Sequence, residues 1–310
     1  MSSEPQVHGR VSAAASTDGP ARSSGAAYTT ATARRQVNAG EADERPASVD
    51  GVLCDGQTAT VPLCDDGLLR GDGAFEFVRC YAGRPFTLRE HLDRMARTCA
   101  TIRLPFPRRQ LEEEIAALLA WAGPVFSDMR LVLTRGGRRI VLLEPFLDWP
   151  PARLAFVADS PRGVLGGAKS LSYAGNMLAK RLAAERGFDE ALLTRPDGVV
   201  MEVQQAAFFW VTPQGDVCTP PLADGILDSI TRRVVMKHLD VSERTCRTED
   251  ALAASEAFLA GTAREVQAVS VIESRTFACP PGPVTRRAVA AYRGEVEEQL
   301  GLSGAELWGA

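Results

Sequence analysis

Lysine is scarce in this chain. Among 310 residues there are three, Lys169, Lys180 and Lys237, and most other positive charges are carried by arginine. Lys180 and Lys237 fall where an exposed helix face would suit them, whereas Lys169, in Lys169-Ser170-Leu171-Ser172-Tyr173, does not. An amine, unlike a guanidinium, gives up its proton when desolvated and then attacks an aldehyde to form a Schiff base. By position alone Lys169 also fits an ordinary surface lysine beside a helix start, so its meaning depends on the other residues able to do chemistry.

Several other residues carry such potential. In Val199-Val200-Met201-Glu202-Val203 the apolar flanks make Glu202 the one carboxylate of its hairpin expected to be partly buried, and a buried carboxylate needs a cation or donor. Leu227-Asp228-Ser229-Ile230-Thr231-Arg232 opens a helix capped by Asp228 or Ser229, whose free amides suit a phosphate, although most helix starts are simply capped. Gly261-Thr262-Ala263 is a small-residue turn open to close approach by a phosphate or carboxylate. Gly71 and Gly73 space a turn before Phe75-Glu76, a pattern equally suited to a plain connection between strands. Arg94 lies on the flank of a helix face, reaching an anion or solvated, and Arg135-Gly136-Gly137-Arg138-Arg139 reads as a solvated hairpin or a bidentate carboxylate clamp.

The elements that must position these residues follow from pattern. Residues 1–45 contain no Leu, Ile, Phe or Trp and are expected to be a disordered tail. Order begins with short strands at 51–54 and 58–63, then a strand at 75–81. Thr87-Leu88-Arg89-Glu90 has the form of a capping box, starting a helix with Leu88, Leu92, Met95 and Cys99 on one face. A second helix at 108–121 precedes strands at 129–134, 139–143 and 153–158. A helix at 171–186 follows Lys169, then strands at 190–194, 199–203 and 208–211, a buried strand entering the turn at Gly261, and a last helix at 283–300. This divides the chain into a tail (1–45), a small α/β domain (46–158), a glycine-rich linker (159–168) and a larger domain (169–310).

Composition narrows the class. The chain is 45% hydrophobic and 24% charged with a formal net charge of -4, which suits a soluble globular protein and gives no electrostatic footprint for nucleic acid. Seven scattered cysteines without a CxxC pair, beside three histidines, support neither a disulfide framework nor a metal site, and a reducing cytoplasm is the simplest setting. There is no apolar run of membrane-spanning length, so no membrane partner is expected.

Together the residues supply each group that pyridoxal 5'-phosphate requires: an amine for its aldehyde, donors for its phosphate, and partners for its ring nitrogen and phenolic oxygen. Their order resembles the class IV (fold type IV) pyridoxal phosphate enzymes, which include branched-chain aminotransferases, D-amino acid aminotransferases and aminodeoxychorismate lyases. The resemblance rests on Arg70-Gly71-Asp72-Gly73-Ala74-Phe75-Glu76, His91-Leu92-Asp93-Arg94, Lys169 with Tyr173, Asp189-Glu190-Ala191-Leu192-Leu193 leading to Glu202, Ile230-Thr231-Arg232 and Gly261-Thr262-Ala263. It departs from the family at Ala207, where asparagine is common, and at Ser229, where glycine is common.

The resemblance implies a two-lobed fold, a small α/β lobe and a larger lobe with a β-barrel-like sheet, with the cofactor between them and a homodimer as the assembly. It implies that Lys169 is the catalytic, cofactor-anchoring lysine and proton shuttle, that Tyr173 bonds the phenolic oxygen, and that Glu202 pairs with the ring nitrogen. Arg94, Leu227, Ile230, Thr231 and Thr262 would complete the cofactor site through the phosphate and its flank. Thr262 and Ala263 would accept the substrate carboxylate, with Phe75, Arg79, Arg130 and Arg138 as pocket-wall candidates. The expected activity is amino transfer between an amino acid and a 2-oxo acid. The alternatives are aminodeoxychorismate lyase, which the run 262–284 resembles, and a non-catalytic protein of the same fold.

Overall fold

The computed structural model describes residues 45–158 and 163–308. The expected tail, except Arg45, and the first part of the expected linker lie outside the described residues. The first lobe comprises β1 (Pro46–Val49), β2 (Val52–Asp55), α1 (Asp66–Arg70), β3 (Gly73–Tyr81), β4 (Arg84–Pro85), α2 (Leu88–Thr101), α3 (Arg108–Ala122), β5 (Ser127–Thr134) and β6 (Arg139–Pro145). Its sheet runs β2-β1-β6-β5-β3-β4, with β3 against β5 antiparallel over eight residue pairs from Gly73↔Thr134 to Cys80↔Ser127.

The two-residue side-chain period of β3 assigns its two faces. Ala74, Val78 and Cys80 join Leu92, Met95 and Cys99 of α2 and Leu111, Ile115 and Leu118 of α3 in one core. Phe75, Phe77, Arg79 and Tyr81 occupy the opposite face, which looks toward the second lobe.

The second lobe contains β7 (Ala152–Ala158), α4 (Ala174–Glu185), β8 (Glu190–Thr194), β9 (Val199–Val203), β10 (Ala206–Val211) and β11 (Val217–Thr219). It continues with α5 (Ile230–His238), β12 (Val241–Glu243), β13 (Cys246–Arg247), α6 (Thr248–Ala253), β14 (Glu256–Gly261), β15 (Glu265–Ile272), β16 (Arg275–Thr276), α7 (Pro283–Leu300) and α8 (Gly304–Trp308). The sheet order β10-β14-β15-β7-β8-β9, with β9 also pairing β10, closes a six-stranded ring. Phe208 and Trp210 stack inside it, 6.0 Å between centroids, while Phe209 stacks on Phe258 outside, where α5 and α7 cover the ring. The expected barrel-like sheet is present. Among the described residues no helix is long and apolar enough to cross a membrane.

The structure departs from the sequence reading at four places. Asp50 and Gly51 both have positive φ, 53° and 90°, forming the tight turn of a hairpin, so the first strands are β1 and β2 and residues 58–63 are exposed coil. Thr87 is left-handed (φ 53°) and donates its hydroxyl to the Phe86 carbonyl at 2.7 Å, so it caps nothing and no capping box forms. β7 hydrogen-bonds to β8 and β15, so the chain passes between sheets at 146–151, before the expected linker. Finally, α4 begins at Ala174, and Lys169 lies in extended chain rather than at a helix start.

Candidate active site

A cavity of about 460 Å³ opens between the lobes, a size suited to a small-molecule site. Lys169 is fixed at its wall by backbone pairing with β3: Phe75 N donates to Lys169 O at 3.0 Å, Leu171 N donates to Gly73 O at 2.9 Å, and Ser170 bridges Ala74. Lys169 N donates to Thr98 Oγ1 of α2 at 3.1 Å. The amine lies 4.3 Å from the Phe75 ring centroid, and among the described residues no carboxylate forms a salt bridge with it. Burial, then the charge of Arg94, push the amine down to about 8 from 10.5. The other two lysines are held in ion pairs, Lys180 with Glu190 and Lys237 with Glu295, each at 2.8 Å.

Arg94 comes from α2 and is buried. Nε and Nη2 each donate to Glu76 at 2.7 Å, a bidentate pair, and Nη1 donates to Asp228 O at 3.0 Å. Glu76 also contacts His91 Nδ1 at 2.8 Å. Burial pulls Glu76 upward, but the charge and hydrogen bonds of Arg94, with His91, hold it well below the usual carboxylate range. Burial lowers His91, favouring its neutral form. Asp228 immediately precedes the Ser229 cap of α5, whose side chain accepts from Arg232 N at 3.3 Å. That leaves the amides of Ile230 and Thr231 without intrahelical acceptors, beside the Arg94 guanidinium. Serine at 229 therefore performs a capping task that glycine could not.

Glu202, 5% exposed, lines the cavity from β9 and accepts from Leu227 N at 3.1 Å. Tyr173 donates its hydroxyl to the Gln204 carbonyl and sets its ring edge-on to Phe75 at 5.4 Å. Thr262 and Ala263 reach the cavity in a turn closed by Arg264 N donating to Gly261 O at 3.0 Å. A cavity holding an amine of lowered basicity, a buried carboxylate, and an arginine beside a helix N-terminus has the donor set that pyridoxal phosphate needs, so the residues fit the cofactor.

Not every expected wall residue is there. Phe75 and Arg130 line the cavity, with Arg130 engaged by Glu144 through both Nε and Nη2. Arg79 does not line it; its guanidinium is enclosed by Asp128 and Glu265. Arg138 also lies outside the lining, donating to Asp50 Oδ2 at 2.6 Å, while Arg135 is held by Asp72. The arginine-rich hairpin thus neutralises the chain's own carboxylates. Ile230 and Thr231 are buried behind the lining, which Leu227 and Ser229 form on that side. Glu190 joins Glu202 as a buried carboxylate, taken up by Arg264 and Lys180. Sequence reading gave no role to Glu76, His91, Phe77 or Trp149. The strand period placed Phe77 beside Phe75, and the three-residue spacing of His91 and Arg94 put both on one helix face, but Trp149 carried no such signal.

The model of the amino-transferase class IV family matches residues 73–272. A Methanocaldococcus jannaschii protein named as a branched-chain-amino-acid aminotransferase is 33% identical over 255 residues, 74% of this chain and 88% of that one. The D-alanine aminotransferase of Bacillus licheniformis is 28% identical over 272 residues, 80% of this chain and 95% of that one. The crystal structure of the branched-chain aminotransferase of Thermoproteus uzoniensis with norvaline is 28% identical with a TM-score of 0.72, covering 83% of this chain and 97% of that one. Fold, site chemistry and these similarities agree that the chain belongs to the class IV aminotransferase family and is a pyridoxal phosphate-dependent enzyme that transfers amino groups.

Proposed function

We propose that this enzyme moves the amino group of an amino acid with an apolar side chain, of the branched-chain L type, onto a 2-oxo acid, with Lys169 as the reacting amine. The observation that carries the reading is Lys169 itself, unpaired by any described carboxylate and lowered to about 8 at the cavity wall. Phe75, Phe77, Leu147 and Trp149 give the cavity one apolar stretch of wall, and beside it Glu144 covers the charge of Arg130, which favours an uncharged substrate side chain there.

When bound, pyridoxal phosphate supplies an aldehyde carbon for the substrate amine and an electron-poor ring that takes up the electron pair left by the α proton. The remaining work falls to the chain. Arg94 and the amides of Ile230 and Thr231 hold a phosphate dianion, with the Thr262 hydroxyl nearby. Glu202, fixed by Leu227 N, presents its carboxylate to the ring nitrogen and keeps it protonated. Tyr173 orients the ring edge. Lys169 Nζ takes the α proton and returns it on the other side of the transfer. The amides of the Thr262-Ala263 turn accept the substrate carboxylate.

We further propose a homodimer. Leu68 and Leu69 of α1 and Leu178 of α4 are more than half exposed, and α1 meets the segment before α4 where Ser172 Oγ donates to Gly71 O. Seven free thiols fit a reducing cytoplasm.

The test is to add single L- and D-amino acids to cofactor-loaded enzyme without any oxo acid, following the visible absorbance and the oxo acid formed. L-Leucine, L-isoleucine or L-valine is expected to bleach the band and yield its oxo acid. Conversion of D-alanine alone would overturn the substrate assignment. Inertness toward all of them, with pyruvate released from aminodeoxychorismate, would replace amino transfer by elimination.

A further inference from the structure

Arg79 lies at the junction of the lobes with its side chain 2% exposed. Nε and Nη2 donate to the two oxygens of Asp128 on β5 at 2.9 and 3.1 Å. Nη2 also donates to Leu147 O in the connector at 3.2 Å, and Nη1 donates to Glu265 Oε1 on the second lobe at 3.3 Å. The guanidinium carbon lies 3.8 Å from the centroid of Phe146. One side chain therefore touches the first lobe, the connector and the second lobe. Burial opposes its charge, but Asp128 and Glu265 together hold it firmly protonated.

Glu265 is the residue through which this junction reaches the cavity. It opens β15 directly after the 261–264 turn and has a left-handed backbone, φ 53°, which a non-glycine residue adopts only when its surroundings hold it there. Tyr81 donates a second hydrogen bond to Glu265 Oε1 at 2.8 Å. The turn and connector are tied again where Trp149 Nε1 donates to Ala263 O at 2.8 Å. Thr262, Ala263, Leu147 and Trp149 all line the cavity.

We propose that Arg79 and Glu265 are positioning residues: an inter-lobe clamp that fixes the Thr262-Ala263 turn and the adjoining connector wall in the geometry that accepts the substrate carboxylate. The clamp acts through the turn and touches neither substrate nor cofactor. It rests on the reading that this turn receives the carboxylate. Its bonds depend on the planar fork of arginine, which spans Asp128, Leu147 and Glu265 at once and which lysine cannot reproduce.

The test uses full-length, cofactor-loaded R79K, E265Q and Y81F beside R138K, whose arginine pairs with Asp50 away from the cavity. Titration with 4-methylpentanoate, a carboxylate with the leucine skeleton and no amine, gives a Kd from the shift in cofactor absorbance. Cofactor affinity and Tm are measured in parallel. R79K and E265Q are expected to weaken carboxylate binding about tenfold, because displacing a positioned group by an ångström has effects of that order or larger. Cofactor affinity should stay within about twofold. Y81F, which removes one hydrogen bond to Glu265, should give a smaller weakening in the same direction and carries the test with E265Q if R79K does not fold. R138K should change neither. Unchanged carboxylate affinity in E265Q and Y81F, whatever their Tm, overturns the proposal, as does a parallel loss of cofactor affinity. A wild-type protein that binds no carboxylate overturns the functional reading beneath it, and the clamp with it.

Discussion

The site of Lys169 disfavours its charge, which is what the proposed role of reactive amine requires. Burial and Arg94 bring it to about 8, so at pH 7 about a tenth of the cofactor-free protein carries a free amine, against very little at the ordinary 10.5. The rate at which apo-protein captures pyridoxal phosphate should rise with pH to a midpoint near 8; a midpoint near 10 would remove this account of its reactivity. The sign for stability is the reverse of a paired lysine. The folded state disfavours the charge, so the penalty is full below 8 and disappears as pH rises toward 10.5. Lys169→Met should therefore stabilise the apo-protein at pH 7 by on the order of 1–2 kcal/mol, allowing for partial solvent screening, and by less at pH 9.5. Glu76 behaves oppositely. Arg94 and His91 hold it below its ordinary 4.5, so its contribution is present above that value and is lost in acid. Glu76→Gln leaves Arg94 buried without its counter-charge and should cost about 3–5 kcal/mol. Inorganic phosphate should raise the melting temperature of this variant more than that of wild type, and equal shifts would place Arg94 outside the anion site.

The elements that carry these residues were legible to different degrees, for physical reasons. β3, β8, β9 and α7 were readable because local pattern and tertiary environment agree: alternating or continuous apolar runs become buried strands, and Pro283 opens the last helix at its first position. The extended backbone of Lys169 was not readable, because its partners, Gly73 and Phe75, lie far away in sequence. Thr87 misled because a capping box requires extended backbone at its first residue, and the hairpin before it imposes a left-handed one. The same limit applies to Arg138, whose hairpin suggested a carboxylate clamp, and to Arg79, a pocket-wall candidate by resemblance: that they meet Asp50 and Asp128 depended on strand pairing. The 261–264 turn is the element most sensitive to bulk. A Cβ at Gly261 would lie 2.6 Å from Gln205 O and 2.8 Å from Ala206 Cβ, so the strand end must move. Gly261→Ala should cost about 1–3 kcal/mol and raise KM for the amino acid more than it lowers kcat. Wild-type KM in a folded variant would show that the turn does not contact substrate.

At the scale of the molecule, a closed β-ring in the second lobe provides the rigid wall carrying Glu202 and the Thr262 turn, and the first lobe supplies Arg94, Phe75 and the strand edge that pins Lys169. The proposed site takes its residues from both. If the exposed leucines of α1 lie in a dimer interface, Leu69→Arg should turn a dimer into a monomer by sedimentation, and a wild-type monomer would remove that assembly. That one lysine of three, Lys169, is the reacting amine can be tested by trapping the imine. Cofactor-loaded wild type is reduced with borohydride, digested and mapped by mass spectrometry. The pyridoxyl group is expected on Lys169; its appearance on Lys180 or Lys237, or on no lysine, would exclude Lys169 as the reacting amine.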